Sequence, residues 1–243
     1  MSGELIRIEN LSKSFGNKEV LKNVNLQFNR GEIFALIGPS GVGKTTLLRI
    51  LNFLETPSGG RLSFNGIQLN GIQKTDARRR MSMLFQAPAV FNDSVFNNVA
   101  YGLRIRGADK DTLEKKVRNA LAIVGLEGKE RQRAMTLSGG EAQRMAFARA
   151  IVYDPDILLL DEPTANLDPA NAAKVEEIIK RIRDERGTTI VIATHNIYQV
   201  KRIADRVGIL LNGELIEVNS RDRIFTVPKD ARSAAFLKGE MIY

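Results

Sequence analysis

The sequence predicts an α/β protein with a mostly parallel sheet, an N-terminal antiparallel β lobe and an inserted helical subdomain. Three patterns predict this class. Segments near the N-terminus alternate apolar and polar residues, as half-buried antiparallel strands do. Three later segments are almost continuously apolar, as strands covered by helices on both faces must be. Between Gln86 and Leu137, apolar residues recur at helical spacing.

The strands follow from these segments in order. Residues 5–8 and 24–28 alternate and predict the β lobe. Residues 32–37, 157–160 and 189–193 predict the central parallel strands, and polar residues follow each of them. Because ligands bind outside the carboxyl ends of such strands, we expect these polar loops to surround one crevice.

The helices and the tail come next. Residues 111–124 predict a helix of the insert, whose apolar face is formed by Leu113, Val117, Leu121 and Val124. The last helix of the insert is predicted to start at Gly139 and Gly140 and to run over residues 141–152, and residues 46–53 predict a helix in the core. The pair Asn212-Gly213 between two apolar segments predicts a hairpin, and a short helical stretch follows.

These elements predict one domain over residues 1–243. The β lobe and the core would comprise residues 1–86 and about 153–243, and the helical subdomain would comprise about 87–152. We find no internal repeat and no long linker in this sequence.

Composition limits the functional classes. The chain has no cysteine, so disulfides and thiolate metal sites are excluded and a cytoplasmic location is expected. The first residues lack the apolar core of a signal peptide, and every apolar run is far shorter than the roughly 20 residues of a membrane helix. The net charge of +8 is spread along the chain, and its densest cluster, Arg78–Arg80, has no interleaved aromatics. A solvated surface is therefore favoured over a lipid or nucleic-acid surface, and no nucleic-acid partner is expected.

A glycine-rich loop follows the first apolar strand. It matches the pattern G-x-x-x-x-G-K-[ST] and consists of Gly38, Pro39, Ser40, Gly41, Val42, Gly43, Lys44 and Thr45, with Thr46 next in the helix. In this pattern, backbone N–H groups and the lysine bind nucleotide phosphates, and the hydroxyl binds Mg²⁺. A turn without function is disfavoured, because a buried strand precedes the loop and a helix follows it.

Two carboxylates end the second apolar strand. Asp161 is predicted to hold Mg²⁺, directly or through water. Glu162 is predicted to orient and polarise the water that attacks the γ-phosphate. The alternative, in which both carboxylates only cap the next turn, is disfavoured once the glycine-rich loop is considered.

The pentad Leu137-Ser138-Gly139-Gly140-Glu141 lies about a hundred residues after the glycine-rich loop. Together the two motifs resemble those of ABC ATPases, so the chain resembles an ABC transporter ATP-binding subunit with a P-loop NTPase core. The resemblance implies a head-to-tail homodimer that forms with ATP. In it, Ser138, Gly139, Gly140 and Glu141 of one copy would close over the ATP that Lys44 of the other copy binds.

The resemblance implies further site residues. His195, the only histidine in the sequence, would contact the γ-phosphate and the catalytic water, and Gln86 would contact Mg²⁺ or water and link to the transport partner. Phe15 would stack on adenine where relatives more often have tyrosine, although a core position is an alternative. Residues 165–168 resemble a loop that crosses the dimer interface and would end at Asp168, and Ala165 stands where many relatives have serine.

The resemblance also implies a function. The chain would be an ATPase on the inner face of the cell membrane that drives solute import through a separate integral membrane permease, with an extracytoplasmic solute-binding protein acting indirectly. Residues 91–107 and 164–171 resemble those of oxyanion importers, for tungstate, molybdate or phosphate. The alternatives are an importer of another solute such as amino acids, a non-transport ABC ATPase in nucleic-acid or ribosome work, and a module that binds ATP without hydrolysing it.

Overall fold

The computed structural model describes residues 3–69 and 71–240, and for residues 71–73 it describes the backbone only, so both ends of the predicted domain 1–243 lie outside the described residues. In chain order the elements are β1 (Glu4–Phe15), β2 (Lys18–Asn29), β3 (Ile33–Ile37), α1 (Lys44–Leu51), β4 (Gly59–Phe64), β5 (Ile67–Gln68), α2 (Gly71–Arg79), β6 (Met81–Leu84), α3 (Val95–Ile105), α4 (Lys110–Ile123), α5 (Gly139–Ile151), β7 (Ile157–Asp161), α6 (Pro169–Arg186), β8 (Thr189–Thr194), α7 (Ile197–Ile203), β9 (Arg206–Leu211), β10 (Glu214–Ser220), α8 (Arg221–Thr226) and α9 (Ala231–Lys238).

The central sheet has six strands in the order β10-β9-β3-β8-β7-β6. Strands β9, β3, β8, β7 and β6 are parallel, and β10 pairs antiparallel with β9 at one edge. Strands β3, β7 and β8 are buried along their whole length, which confirms the prediction from their continuous apolar sequence. Because β8 lies between β3 and β7, the three loops that follow these strands are neighbours.

The β lobe is a separate four-stranded sheet in the order β2-β1-β4-β5. Strands β1 and β2 are antiparallel and extend well beyond the predicted segments, with several register shifts along their length. Strands β4 and β5 and helix α2 were not predicted from the sequence. Most of β4 is exposed or half-buried, so its sequence lacks the alternation that identifies a strand.

Helices α3, α4 and α5 form the predicted helical insert. Their apolar faces meet in one core, in which Val117, Leu121 and Val124 are buried and Leu113 packs at the edge. Helix α5 begins at Gly139, the first of the two glycines at which its start was predicted, because Ser138 is its N-cap.

The tail forms the predicted hairpin of β9 and β10. Asn212 and Gly213 have φ angles of 50° and 81°, which are typical of the two central residues of a type I′ turn. Helices α8 and α9 follow it. Within the described part of the chain, no helix combines the length and the apolar character needed to cross a bilayer.

Candidate functional site

The carboxyl ends of β3, β7 and β8 bring the predicted phosphate, metal and catalytic residues together. The hydroxyl of Thr45, just after the loop that follows β3, donates to Oδ1 of Asp161 at the end of β7, at 3.0 Å. Nδ1 of His195, just after β8, lies 2.8 Å from Oε1 of Glu162. Residues that are far apart in the sequence therefore form one cluster, as the strand-end argument predicts.

The glycine-rich loop packs so closely that two of its glycines cannot be replaced freely. A Cβ on Gly38 would lie 2.2 Å from the carbonyl oxygen of Leu210. Gly43 has a φ of 114°, and its Cβ would lie 2.9 Å from the side chain of Leu21. Ser40 and Gly41, at the tip of the loop, are exposed. The loop is thus fixed at its ends and open at its tip.

Lys44 is buried inside this loop, with 6% of its surface exposed. Its Nζ donates to the carbonyl oxygens of Gly38 and Pro39, each at 2.8 Å. Burial lowers the pKa of Lys44, and the nearby Glu162 and Asp161 partly oppose this shift. The positive charge of the ammonium is therefore only partly balanced by nearby protein groups, so Lys44 is well suited to bind an anion.

The N-terminus of α1 is also suited to an anion. Its N-cap is Gly43, so in the described structure no side chain caps the first N–H groups, and the first turn contains no acidic residue. Uncapped N–H groups and the helix dipole favour a bound phosphate. Thr46 lies in this first turn, as predicted.

The donor set at Thr45 and Asp161 fits Mg²⁺. Both groups supply oxygen, the ligand atom that Mg²⁺ prefers, and a site with few protein ligands is usual where the substrate phosphates complete the coordination. Burial raises the pKa of Asp161, against the opposing hydrogen bond from Thr45, and the negative charge of Glu162 raises it further. A bound cation would relieve this cost of a buried carboxylate.

Glu162 is held by its backbone and its side chain. Its φ is 47°, in the left-handed region, and its N–H donates to the carbonyl oxygen of Ala193 at 2.8 Å. Its Oε2 accepts a hydrogen bond from the hydroxyl of Thr194 at 3.2 Å, and Oε1 faces His195. Such backbone strain in a non-glycine residue is frequent at functional sites. Thr194 was not predicted, although a polar residue at the end of a buried strand was a signal for it.

The pentad around Ser138 forms a reciprocal cap. The Ser138 hydroxyl accepts the N–H of Glu141 at 3.3 Å, and Oε2 of Glu141 accepts the N–H of Ser138 at 2.9 Å. The other carboxylate oxygen pairs with Lys129, and this bond is the main reason that the pKa of Glu141 is lowered to about 2. The structure thus gives Glu141 a role in holding the loop, which the sequence analysis did not consider.

The pentad stands apart from the phosphate loop of its own chain. No hydrogen bond or ion pair in the described structure joins residues 138–141 to Lys44, Thr45 or Asp161. Ser138 and Gly139 are exposed. Gly140 is buried, and a Cβ there would lie 2.7 Å from the side chain of Asn171.

Three other predicted residues lie on the surface. The ring of Phe15 is 49% exposed and Nζ of Lys13 lies 4.5 Å from its centroid, so the alternative of a core residue is wrong. Gln86 is exposed just after β6. Asp168 is the N-cap of α6 and accepts the N–H groups of Ala170 and Asn171, each at 3.0 Å. These bonds lower the pKa of Asp168. The proline that follows Asp168 was a sequence signal for this cap.

The fold and the clustered strand-end residues define a nucleotide-binding protein of the P-loop class. The chain belongs to the ABC transporter family, whose model matches residues 21–165, more than half of its length.

Individual relatives support this membership. The chain is 44% identical to the phosphate import ATP-binding protein PstB 2 of Natronomonas pharaonis, over 98% of this chain and 88% of that protein. Among solved structures, it is similar to cbiO1 from Clostridium perfringens, part of the ABC transporter complex cbiONQ, with a TM-score of 0.87, 30% identity, and 98% and 96% of the two chains covered. It is also similar to an ATP-binding cassette in a dimeric post-hydrolysis state bound to ADP and Pi, with a TM-score of 0.79, 31% identity, and 89% and 99% covered.

Proposed function

We propose that this chain is the ATP-hydrolysing subunit of an ABC importer and couples ATP binding and hydrolysis to solute uptake through a separate permease. One observation carries the proposal. In a chain of the ABC transporter family, the fold places the glycine-rich loop, the Thr45–Asp161 contact of 3.0 Å and the Glu162–His195 contact of 2.8 Å at one sheet edge. This set matches the needs of phosphoryl transfer to water, which are positioning and electrostatic stabilisation.

Different residues of the chain bind the phosphates, the base and Mg²⁺. Lys44 and the N–H groups at the start of α1 bind the phosphates, and the exposed ring of Phe15 stacks on the base. Thr45 and Asp161 would hold Mg²⁺, and Gln86 would contact the ion or its water. When bound, Mg²⁺ neutralises charge on the phosphate oxygens.

Glu162 then prepares the attacking water. Its carboxylate is fixed by Thr194 on one oxygen and by His195 on the other, so it can accept a proton from that water without reorienting. Because Nδ1 of His195 faces Glu162, Nε2 points away from this pair and, within the described residues, has no protein partner. It is left to contact the γ-phosphate.

The second half of the site comes from another copy of the chain. Ser138 and Gly139 are exposed at the start of α5 and have no hydrogen bond to the phosphate loop of their own chain within the described residues. In an ATP-dependent head-to-tail homodimer they close over the ATP of the partner. The similar cassette with ADP and Pi is dimeric, which supports this arrangement.

An exposed apolar surface around Gln86 is the proposed contact for an integral membrane permease. Phe85, Phe91 and Tyr101 are each at least 40% exposed, and the rings of Phe91 and Tyr101 stand 4.9 Å apart. Exposed apolar clusters on a folded chain are typical of protein interfaces. Bound there, the chain would lie on the inner face of the cell membrane, and an extracytoplasmic solute-binding protein would act only through the permease.

The solute we propose is phosphate or a related oxyanion. Residues 91–107 and 164–171 resemble those of oxyanion importers, and the relative from Natronomonas pharaonis is a phosphate import ATP-binding protein. The solute does not contact this subunit, so the test of this point is transport of phosphate by the assembled system, with methionine as the competing solute.

The test of the site is the solution mass of Glu162→Gln with and without Mg-ATP. We expect the variant to bind ATP and to double in mass only with ATP, because the trapped nucleotide joins two copies. The matched control is Glu185→Gln, which changes an exposed carboxylate that pairs with Arg181 and should hydrolyse ATP as the wild type does. Hydrolysis by Glu162→Gln at the wild-type rate would refute the proposed site.

A second measurement tests the transport role. The wild-type chain should co-purify with an integral membrane protein through the surface around Gln86. Retention on DNA instead would favour a non-transport ABC ATPase.

A further inference from the structure

The loop that follows Glu162 is held by a buried glutamine from the helix that begins at the pentad. We propose that Gln143 is a positioning residue, which holds the carboxylate of Glu162 in place through the carbonyl of Pro163 and couples it to the pentad of the same chain. This inference rests on the proposed function.

The first contact that anchors the loop is a direct hydrogen bond from Gln143. Gln143 lies in the second turn of α5, is 4% exposed, and its Nε2 donates to the carbonyl oxygen of Pro163 at 2.9 Å. Pro163 is buried and follows Glu162 immediately. Because proline has no N–H, its carbonyl is the only polar backbone group by which this residue can be anchored.

The second contact that anchors the loop comes from another helix, α7. Gln199 in α7 is fully buried, and its Nε2 donates to the hydroxyl of Thr164 at 3.0 Å. Helix α7 begins directly after His195 and Asn196. Two consecutive residues after Glu162 are therefore anchored by two helices. One starts at the pentad, and the other starts two residues after His195.

The helix that follows this loop, α6, also contacts α5. The Gly140 backbone packs against the side chain of Asn171, where a Cβ would come within 2.7 Å, and Arg144 donates to Oδ1 of Asn171 at 3.3 Å. Asn171 in turn donates its N–H to Asp168. One face of α5 thus contacts the loop at Pro163 and the first turn of α6 at Asn171, so we expect a shift of the pentad to displace the loop between them.

The anchor matters because Glu162 is in a strained conformation. A glutamate with a φ of 47° keeps this backbone only where its surroundings fix it, and Pro163 is the next residue. Without the Gln143 amide, the buried carbonyl of Pro163 loses its partner and the turn can relax. The Glu162 carboxylate then moves away from His195, and a displacement of about 1 Å is enough to slow a reaction on the order of a hundredfold.

The test is Gln143→Met, which keeps the shape of the side chain and removes the donor. We expect kcat for ATP hydrolysis to fall at least about tenfold while KM for ATP stays within about twofold, because the phosphate site is untouched. The matched control is Thr188→Val. It removes another buried hydrogen bond to a proline carbonyl, from Thr188 to Pro155 at 3.2 Å, at the opposite ends of β7 and β8.

A second readout needs neither ATP nor a permease. Because His195 is the only histidine, its ring Hε1 gives a single NMR signal in protein labelled on histidine. We expect Gln143→Met to shift this signal in the nucleotide-free protein and Thr188→Val to leave it in place. An unchanged signal in Gln143→Met, or an equal loss of kcat in Thr188→Val, would overturn the inference. A wild-type chain that does not hydrolyse ATP would refute the proposed function instead. The His195 ring signal would still show whether Gln143 holds Glu162 and His195 in place.

Discussion

The buried ammonium of Lys44 allows a quantitative prediction for Lys44→Met. Its two hydrogen bonds go to neutral loop carbonyls and not to a carboxylate, so its positive charge is available to a phosphate. A hydrogen bond to a charged group contributes about 1.5–3 kcal/mol. Losing about 2.8 kcal/mol of this kind weakens ATP binding on the order of a hundredfold.

The weaker ATP binding can be measured as a smaller ligand-induced rise in melting temperature. A ligand at about 100 times its Kd stabilises a protein by about 2.7 kcal/mol, which raises the melting temperature by about 5–11 °C for a domain of this size. At the same concentration, a variant with a hundredfold weaker Kd gains only about 0.4 kcal/mol. Its melting temperature should rise by less than about 2 °C.

The assay is thermal unfolding with and without Mg²⁺ and a non-hydrolysable ATP analogue. The control is Lys116→Met, because the Lys116 ammonium pairs with Asp154 at 2.9 Å on a different surface and its loss should leave the ligand-induced shift unchanged. A full ligand-induced shift in Lys44→Met would refute the assignment of the phosphate site.

Three further predictions follow from the site and the pentad. Asp161→Asn should raise the melting temperature of the nucleotide-free protein near neutral pH and abolish Mg²⁺-dependent hydrolysis. Because the pKa of Asp161 is raised in the folded protein, its ionised form opposes folding above that pKa, and this effect disappears as the pH falls below the pKa of the unfolded chain. A lower melting temperature would contradict this prediction. Gly139→Arg should leave the melting temperature unchanged but block ATP-dependent doubling of mass, since a Cβ there meets nothing within 4 Å; a doubled mass by light scattering would exclude the composite site. Glu141→Gln should lower the urea midpoint near neutral pH but not near pH 2. The pKa of Glu141 falls from its ordinary 4.5 to about 2, so its stabilisation is complete above the first value and lost as the pH falls towards the second; an equal difference at both pH values would argue against the cap.

The sequence was sufficient for the parts of the fold in which local pattern and burial agree. Continuous apolar segments identified β3, β7 and β8, and helical spacing identified α4, because each of these elements buries a whole strand or a whole face. The same approach missed β4, whose residues are mostly exposed or half-buried. Burial there is decided by a neighbouring strand, β1, that is distant in the sequence.

In the candidate site, too, some features follow from local sequence and others depend on tertiary packing. The motif residues and their order could be read directly from the chain, since glycine, lysine and carboxylate are fixed by the chemistry of phosphate and Mg²⁺. The reciprocal cap between Ser138 and Glu141 could also have been read from their spacing, as a capping box. The role of Lys129 could not, because its ion pair joins the loop after α4 to the first turn of α5, which only the packing of the helical insert brings together.

By itself, the sequence determined the class of this protein, the strands that carry its chemistry and the residue types at the ends of those strands. Only the tertiary structure decided how those residues are oriented. The contact of Gln143 with Pro163, the contact of Gln199 with Thr164 and the left-handed backbone of Glu162 each depend on helices that reach the loop from elsewhere in the chain. Local sequence sets what a side chain can donate or accept, and long-range packing sets which group it meets.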